Sequence, residues 1–189
     1  SDSLNLFGPT GMFDNPTLDL LKASSIDYFD STANHNLLFS RRAGIIMDGG
    51  WGSRGNPQRP FRIKLDDGVL GQGPAIGTFL SDRPNRNQYS DFYLFNGGGN
   101  YMVLPFKDAV QVKMMGEGTN SYYAASRPVS VYINGEYWGL GAQYERYDQH
   151  YFERKYQIQE QEIDQLVAQY EVELGDSAHY MAMLDYMAQ

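Results

Sequence analysis

The stretch densest in groups that could do chemistry is Asp48 to Pro60, DGGWGSRGNPQRP, with four glycines, two prolines and two arginines in thirteen residues. Glycine-rich loops bind phosphates when their backbone N–H groups converge or open a helix. This loop offers Ser53 and Arg54 as side-chain donors. It leads into Phe61 to Leu65, FRIKL, where Phe61, Ile63 and Leu65 alternate with Arg62 and Lys64. In a strand, that alternation puts both cations on one face. A glycine loop running into outward Arg62 and Lys64 would suit the phosphates of a nucleotide. The alternative is a solvated strand face beside an ordinary loop. The loop has no GxxxxGK(S/T) pattern, and with no helix expected after it, it is no dinucleotide fingerprint either.

Glu145, in the pair Glu145-Arg146, could orient a lysine as Lys–Glu pairs do in phosphoryl-transfer sites. The alternative is an exposed ion pair, which contributes little. His35, His150 and His179 are far apart and lack metal-ligand spacing, and His150 and His179 read as structural, on helix surfaces or core edges. Asp82, Asp91, Asp108 and Asp148 form no recognisable metal or acid–base pair by spacing. No GxSxG, HExxH or EF-hand pattern is present. Trp51, Trp138 and the tyrosines could stack on sugars, although aromatic residues in a β-rich protein more often fill the core.

The elements that must position these groups read as α+β, a mainly antiparallel twisted sheet with a few flanking helices. Val129 to Tyr144, VSVYINGEYWGLGAQY, is the strongest hairpin signal, because Asn134-Gly135 suits a type I′ turn. We take this hairpin as the centre of the sheet. Gly139 and Gly141 after it signal a bulge or a close backbone approach. Further strands are expected at 23–29, 37–47, 61–65 and 91–94. Helices are expected near 105–115, 149–156 and 177–188, the first ending at Gly116 with Phe106, Ala109, Val110, Lys113 and Met114 on one face. Asp148 and Asp176 read as helix caps. Ile163, Leu166, Val167 and Tyr170 fit either a helix or β-structure. Residues 1–22 read as an extended arm, and 69–87 as an irregular excursion.

Composition bounds the function. The net charge of −8 and pI near 4.8 argue against non-specific nucleic-acid binding. With no cysteine, disulfides, thiolate zinc sites and thiol nucleophiles are excluded. No run of eighteen apolar residues exists, so no membrane span is expected. The start lacks the basic and apolar regions of a signal peptide, and the end falls inside a helical pattern. Both are expected to be cuts in a longer protein.

Taken together, AGIIMDGGWGSRGNPQRPFRIKL (43–65), DFYLFNGGGN (91–100), PFKDAV and RPVSVYINGEYWGLGAQYERYDQHYFERKY (127–156) resemble the spore coat protein H (CotH) kinase family. GDSAHYMAMLDYM (175–187) is similar to the family's next helix. The resemblance implies the β-rich, N-lobe-like portion of an atypical protein kinase over 23–189. It also implies ATP, a divalent metal such as Mg or Mn, Ser/Thr phosphorylation of a protein substrate, and a bacterial extracellular or surface location. It makes Arg62 and Lys64 candidates for the ATP phosphates and Glu145 a candidate partner for one of them. The family's catalytic and metal-binding aspartates lie in a later lobe, which this chain is expected to stop short of. Phe95 stands where many relatives have Arg. The competing reading is a catalytically inactive structural or interaction module. In either case an apolar surface, including the methionines of the last helix, is expected to meet a companion lobe or a second copy.

Overall fold

The computed structural model describes residues 6–80, 82–119, 121–147, 149–167 and 171–188. The chain divides into two compact units, Ser1–Glu145 and Arg146–Gln189.

The first unit runs β1 (Lys22–Phe29), β2 (Leu37–Met47), a single helical turn α1 (Trp51–Arg54), β3 (Phe61–Lys64), the short pair β4 (Ala75–Ile76) and β5 (Gln88–Tyr89), β6 (Asp91–Phe95), α2 (Lys107–Gly118), β7 (Ser126–Ile133) and β8 (Glu136–Tyr144). Six strands form an antiparallel sheet in the order β1-β2-β3-β6-β8-β7. Asn134 and Gly135 take positive φ of 53° and 84° at the β7–β8 turn, as a type I′ hairpin requires. The hairpin is not the centre of the sheet, however. β3 and β6 are central and β7 is an edge. Pro128 lies within β7 and has no N–H to give to a second neighbour, which confines such a strand to an edge.

Pleat alternation builds one continuous apolar face. The register aligns Ile45, Ile63 and Phe92 across β2, β3 and β6, and Met47, Phe61 and Leu94 one step along. The sheet curls around this face. The hydroxyl of Tyr28 on β1 donates to Gln143 Oε1 on β8 at 2.5 Å, although β2, β3 and β6 lie between those strands in the sheet. Phe79, from the 69–87 excursion, closes the core against Tyr28, Phe39 and Tyr89, with ring centroids 5.3, 5.1 and 5.1 Å away. The segment expected as an extended arm runs through turns and buries Leu6, Met12 and Phe13 in the same core.

α2 differs from its expected form. Val110 and Met114 are exposed, and the half-buried side is Ala109, Val112, Lys113 and Gly116. Gly116 does not end the helix, which continues to Gly118. A Cβ at 116 would fall 1.9 Å from the Tyr123 ring, so glycine there lets an aromatic ring lie directly on the helix.

The second unit contains α3 (Gln149–Tyr156), an antiparallel pair β9 (Gln165–Val167) and β10 (Glu171–Leu174), and α4 (Ala178–Met187). Leu166 and Val167 therefore lie in a strand; Asp148 and Tyr170 lie outside the described residues. Asp176 Oδ1 accepts the Ala178 N–H at 2.7 Å, but the residue at the N-cap is Ser177, whose side chain makes no capping hydrogen bond, so Asp176 stands one place before the cap expected of it. α4 buries none of its residues, and Met181, Met183 and Met187 are all exposed. No described helix is long and apolar enough to cross a membrane.

Candidate functional site

The Asp48–Pro60 loop is pinned rather than loose. It contains a helical turn, where the sequence pointed to no helix at all. Asn96, at the end of β6, is buried with every polar atom engaged. Its Nδ2 donates to Gln58 O at 2.5 Å and Ser53 O at 3.4 Å, and its Oδ1 accepts from Gly98 N at 2.9 Å. Asn56 Nδ2 donates to Gly98 O at 2.7 Å. Gln58 Nε2 donates to Leu140 O on β8 at 2.6 Å. Two glycine-rich segments, 48–60 and 97–100, are thus stitched to each other and to the hairpin. Gly97, at φ 88°, lets this happen, since a Cβ there would lie 2.6 Å from Pro105 Cα. Both readings of the hairpin glycines hold. The register slips between Val131 and Tyr132, a bulge at Trp138. A Cβ on Gly139 would meet the Gln58 side chain at 2.9 Å, and one on Gly141 would meet Phe95 O at 3.1 Å.

Most of the candidate groups already have partners. The Ser53 hydroxyl donates to Gly50 O at 2.9 Å. Arg54 ties the loop to the N-terminal segment through Gly49 O at 2.7 Å, Pro16 O at 3.2 Å and Asp19 Oδ1 at 2.9 Å. Arg62 aims Nε and Nη2 at Asp91 Oδ2, at 2.9 and 2.6 Å. Lys64 shares the outer face of β3 with Arg62 and is half-buried, and its ammonium makes no hydrogen bond among the described residues. Its charge acts on Asp67. Burial would raise that carboxyl, but the N–H groups of Gly71, Val69 and Leu70, with Lys64, hold it below its usual range.

Glu145 is not the partner of either β3 cation. Its side chain is 1% exposed and lies between two arginines of the 69–87 excursion. Arg83 Nε donates to Oε2 at 3.0 Å, and Arg86 Nη1 donates to Oε1. Ala125 N adds a contact to Oε2 at 3.3 Å. A carboxylate this deep needs such pairing, and the excursion supplies it. Sequence reading missed Arg83, Arg86 and Asp91 because they become partners only through strand register and loop path. Asn96 was visible only as one residue of an Asn-Gly-Gly-Gly-Asn turn.

Across the outer face, register aligns Arg62, Tyr93 and Tyr144. Burial pushes the Tyr144 phenol up to about 12, with Asp108 of α2 adding to it, and its buried hydroxyl has no hydrogen-bond partner among the described residues. Phe95 packs edge-on against Tyr144, with ring centroids 5.8 Å apart. Lys113 of α2 donates to both Asp82 oxygens at 2.8 Å. Among the described residues, no group of three or more His, Asp or Glu side chains is placed to hold a metal ion.

The arrangement defines an α+β, β-rich unit in which interlocked glycine segments lead into a strand whose outer face is cationic. A family model described as CotH kinase protein matches residues 46–186, or 141 of the 189 residues (186 − 46 + 1). The chain belongs to that family, as the sequence motifs indicated. No curated protein and no solved structure matches it.

Replacing Glu145 by Gln should leave the buried Arg86 guanidinium without its carboxylate, weaken the hold on half-buried Arg83, and destabilise the fold by roughly 3–5 kcal/mol. Chemical denaturation reads this; a loss below about 1 kcal/mol, typical of a surface pair, would contradict the pairing described. Tyr144 has a folded pKa above its unfolded value of 10.0, so its contribution is full below pH 10 and is lost as pH rises towards about 12. Tyr144→Phe should flatten the alkaline fall in stability over that window; an unchanged slope would contradict it.

Proposed function

We propose that this chain is the nucleotide-binding, β-rich portion of a CotH-type protein kinase, with Lys64 as its phosphate-contacting cation. The observation that carries the reading is how the charges are sorted. Arg54, Arg62 and Glu145 have partners within the first unit, whereas the Lys64 ammonium has no hydrogen bond among the described residues. Lysine is a point-charge phosphate binder and suits a triphosphate here. The donors therefore fit a nucleotide's phosphates, and ATP would supply the transferable phosphoryl group. The described residues do not fit a divalent metal, since none of their carboxylates group in threes, and no step is assigned to one. The family resemblance supports a protein substrate and an extracellular or bacterial surface setting.

A second reading is an inactive structural module of a coat or surface assembly. The specific observation in its favour is unpartnered apolar surface, with the methionines of α4 in one unit and Tyr132 and Tyr137 at the hairpin tip in the other.

ATP titration of the full-length parent protein, followed by thermal shift, tests the first reading. Lys64→Ala should weaken ATP binding by about 10- to 100-fold, as expected for one hydrogen bond to a charged group. Wild-type affinity in Lys64→Ala would remove the site assignment, and no ATP-dependent shift in the parent would favour the structural module.

A further inference from the structure

The chain contains two Asn-Gly pairs, Asn96-Gly97 and Asn134-Gly135. In such a pair the backbone nitrogen of the glycine can attack the asparagine side-chain amide, because glycine has no Cβ to hinder the approach. The fold holds the two pairs in opposite conditions. Asn96 is 1% exposed, its Nδ2 donates to Gln58 O and Ser53 O, and its Oδ1 accepts from Gly98 N. Gly97 is walled in as well, since a Cβ there would lie 2.6 Å from Pro105 Cα and 2.9 Å from Pro105 O. Turning that amide onto the Gly97 nitrogen would break its hydrogen bonds in a buried site, where amides are nearly always kept paired.

Asn134-Gly135 is exposed at the tip of the β7–β8 hairpin. Both residues take positive φ, and a Cβ on Gly135 would meet nothing within 4 Å. The tip is therefore open to water and has room for its backbone to move, as loop tips commonly do. Register closes the turn with Ile133 opposite Glu136 and Tyr132 opposite Tyr137. Glu136 and both tyrosines are exposed, so a change at the tip alters a surface and leaves the core intact.

We propose that Asn134 is a site of spontaneous deamidation, which changes the charge and shape of the hairpin tip. The Gly135 backbone nitrogen attacks Asn134 Cγ and forms the new C–N bond of a cyclic imide. The Cγ–Nδ2 bond breaks, and Nδ2 leaves as ammonia with the proton that Gly135 N gives up. Water then opens the ring at either carbonyl, leaving aspartate or isoaspartate. Water is the one co-reactant and Lys64 has no role, so the proposal stands apart from the nucleotide reading. The aspartate product keeps the turn, because Asp-Gly also suits type I′, and sets a second carboxylate close to Glu136. The isoaspartate product lengthens the main chain of the turn that fixes the β7–β8 register. Either product gives the exposed Tyr132–Tyr137 pair, with ring centroids 5.4 Å apart, a new negative neighbour.

Peptide mapping by mass spectrometry tests this on the whole chain, held in mildly alkaline buffer with and without denaturing urea and sampled over time. Chromatography separates the aspartate and isoaspartate peptides. Each asparagine is read against its own rate in urea, where the fold no longer protects it. The expected result is that Asn134 converts in the folded chain. Folding should slow Asn96 at least about tenfold more than it slows Asn134, because the Asn96 amide must first be freed by local opening. Folding that slows Asn134 as much as Asn96, or an Asn134 that stays intact in the folded chain over the time it converts in urea, would overturn the proposal.

Discussion

The carboxylate of Glu145 lies at the end of β8, buried, with Arg83 on one oxygen and Arg86 on the other. Withdrawing one negative charge from water commits two arginines, and those arginines fix the path of the excursion that carries them. The same excursion delivers Phe79 and Leu80 to the core, where Phe79 fills the space under the curled sheet. The Tyr28–Gln143 hydrogen bond that marks the curl lies within this region. One pairing requirement therefore reaches from the last strand of the sheet to its first. Buried ion pairs need not add net stability over an apolar replacement, but breaking one leaves a stranded charge.

The same requirement holds two arginines around β3. Arg62 is held by Asp91 on the neighbouring strand, and Arg54 by Asp19 from the N-terminal segment. The Lys64 ammonium, on the half-buried outer side of β3, has no hydrogen bond among the described residues.

Much of the fold was legible because local periodicity and tertiary demand agreed. Phe61, Ile63 and Leu65 alternate because β3 is buried on one side, and Asn134-Gly135 forms the turn its backbone chemistry favours. The hairpin's place in the sheet was misjudged, although Pro128 signalled an edge. Gly116 was read as a helix stop, yet it is needed where Tyr123 lies against the helix. For the site, residue types were legible and partners were not. Whether Arg62 or Lys64 keeps its charge for a ligand depends on Asp91, which stands opposite Lys64 only through β3–β6 register. Glu145 looked like a lysine partner because charge alone cannot show that two arginines some sixty residues earlier fold back onto it.

The central claim is that pairing leaves Lys64 as the cation available to a nucleotide. Lysine acetylation of the full-length protein, with and without ATP, followed by peptide mass spectrometry, addresses it directly. Lys113 serves as an internal reference, because its ammonium is already held by Asp82. The account predicts that ATP slows acetylation of Lys64 selectively and leaves Lys113 unchanged. Acetylation of Lys64 at the same rate with saturating ATP would contradict it.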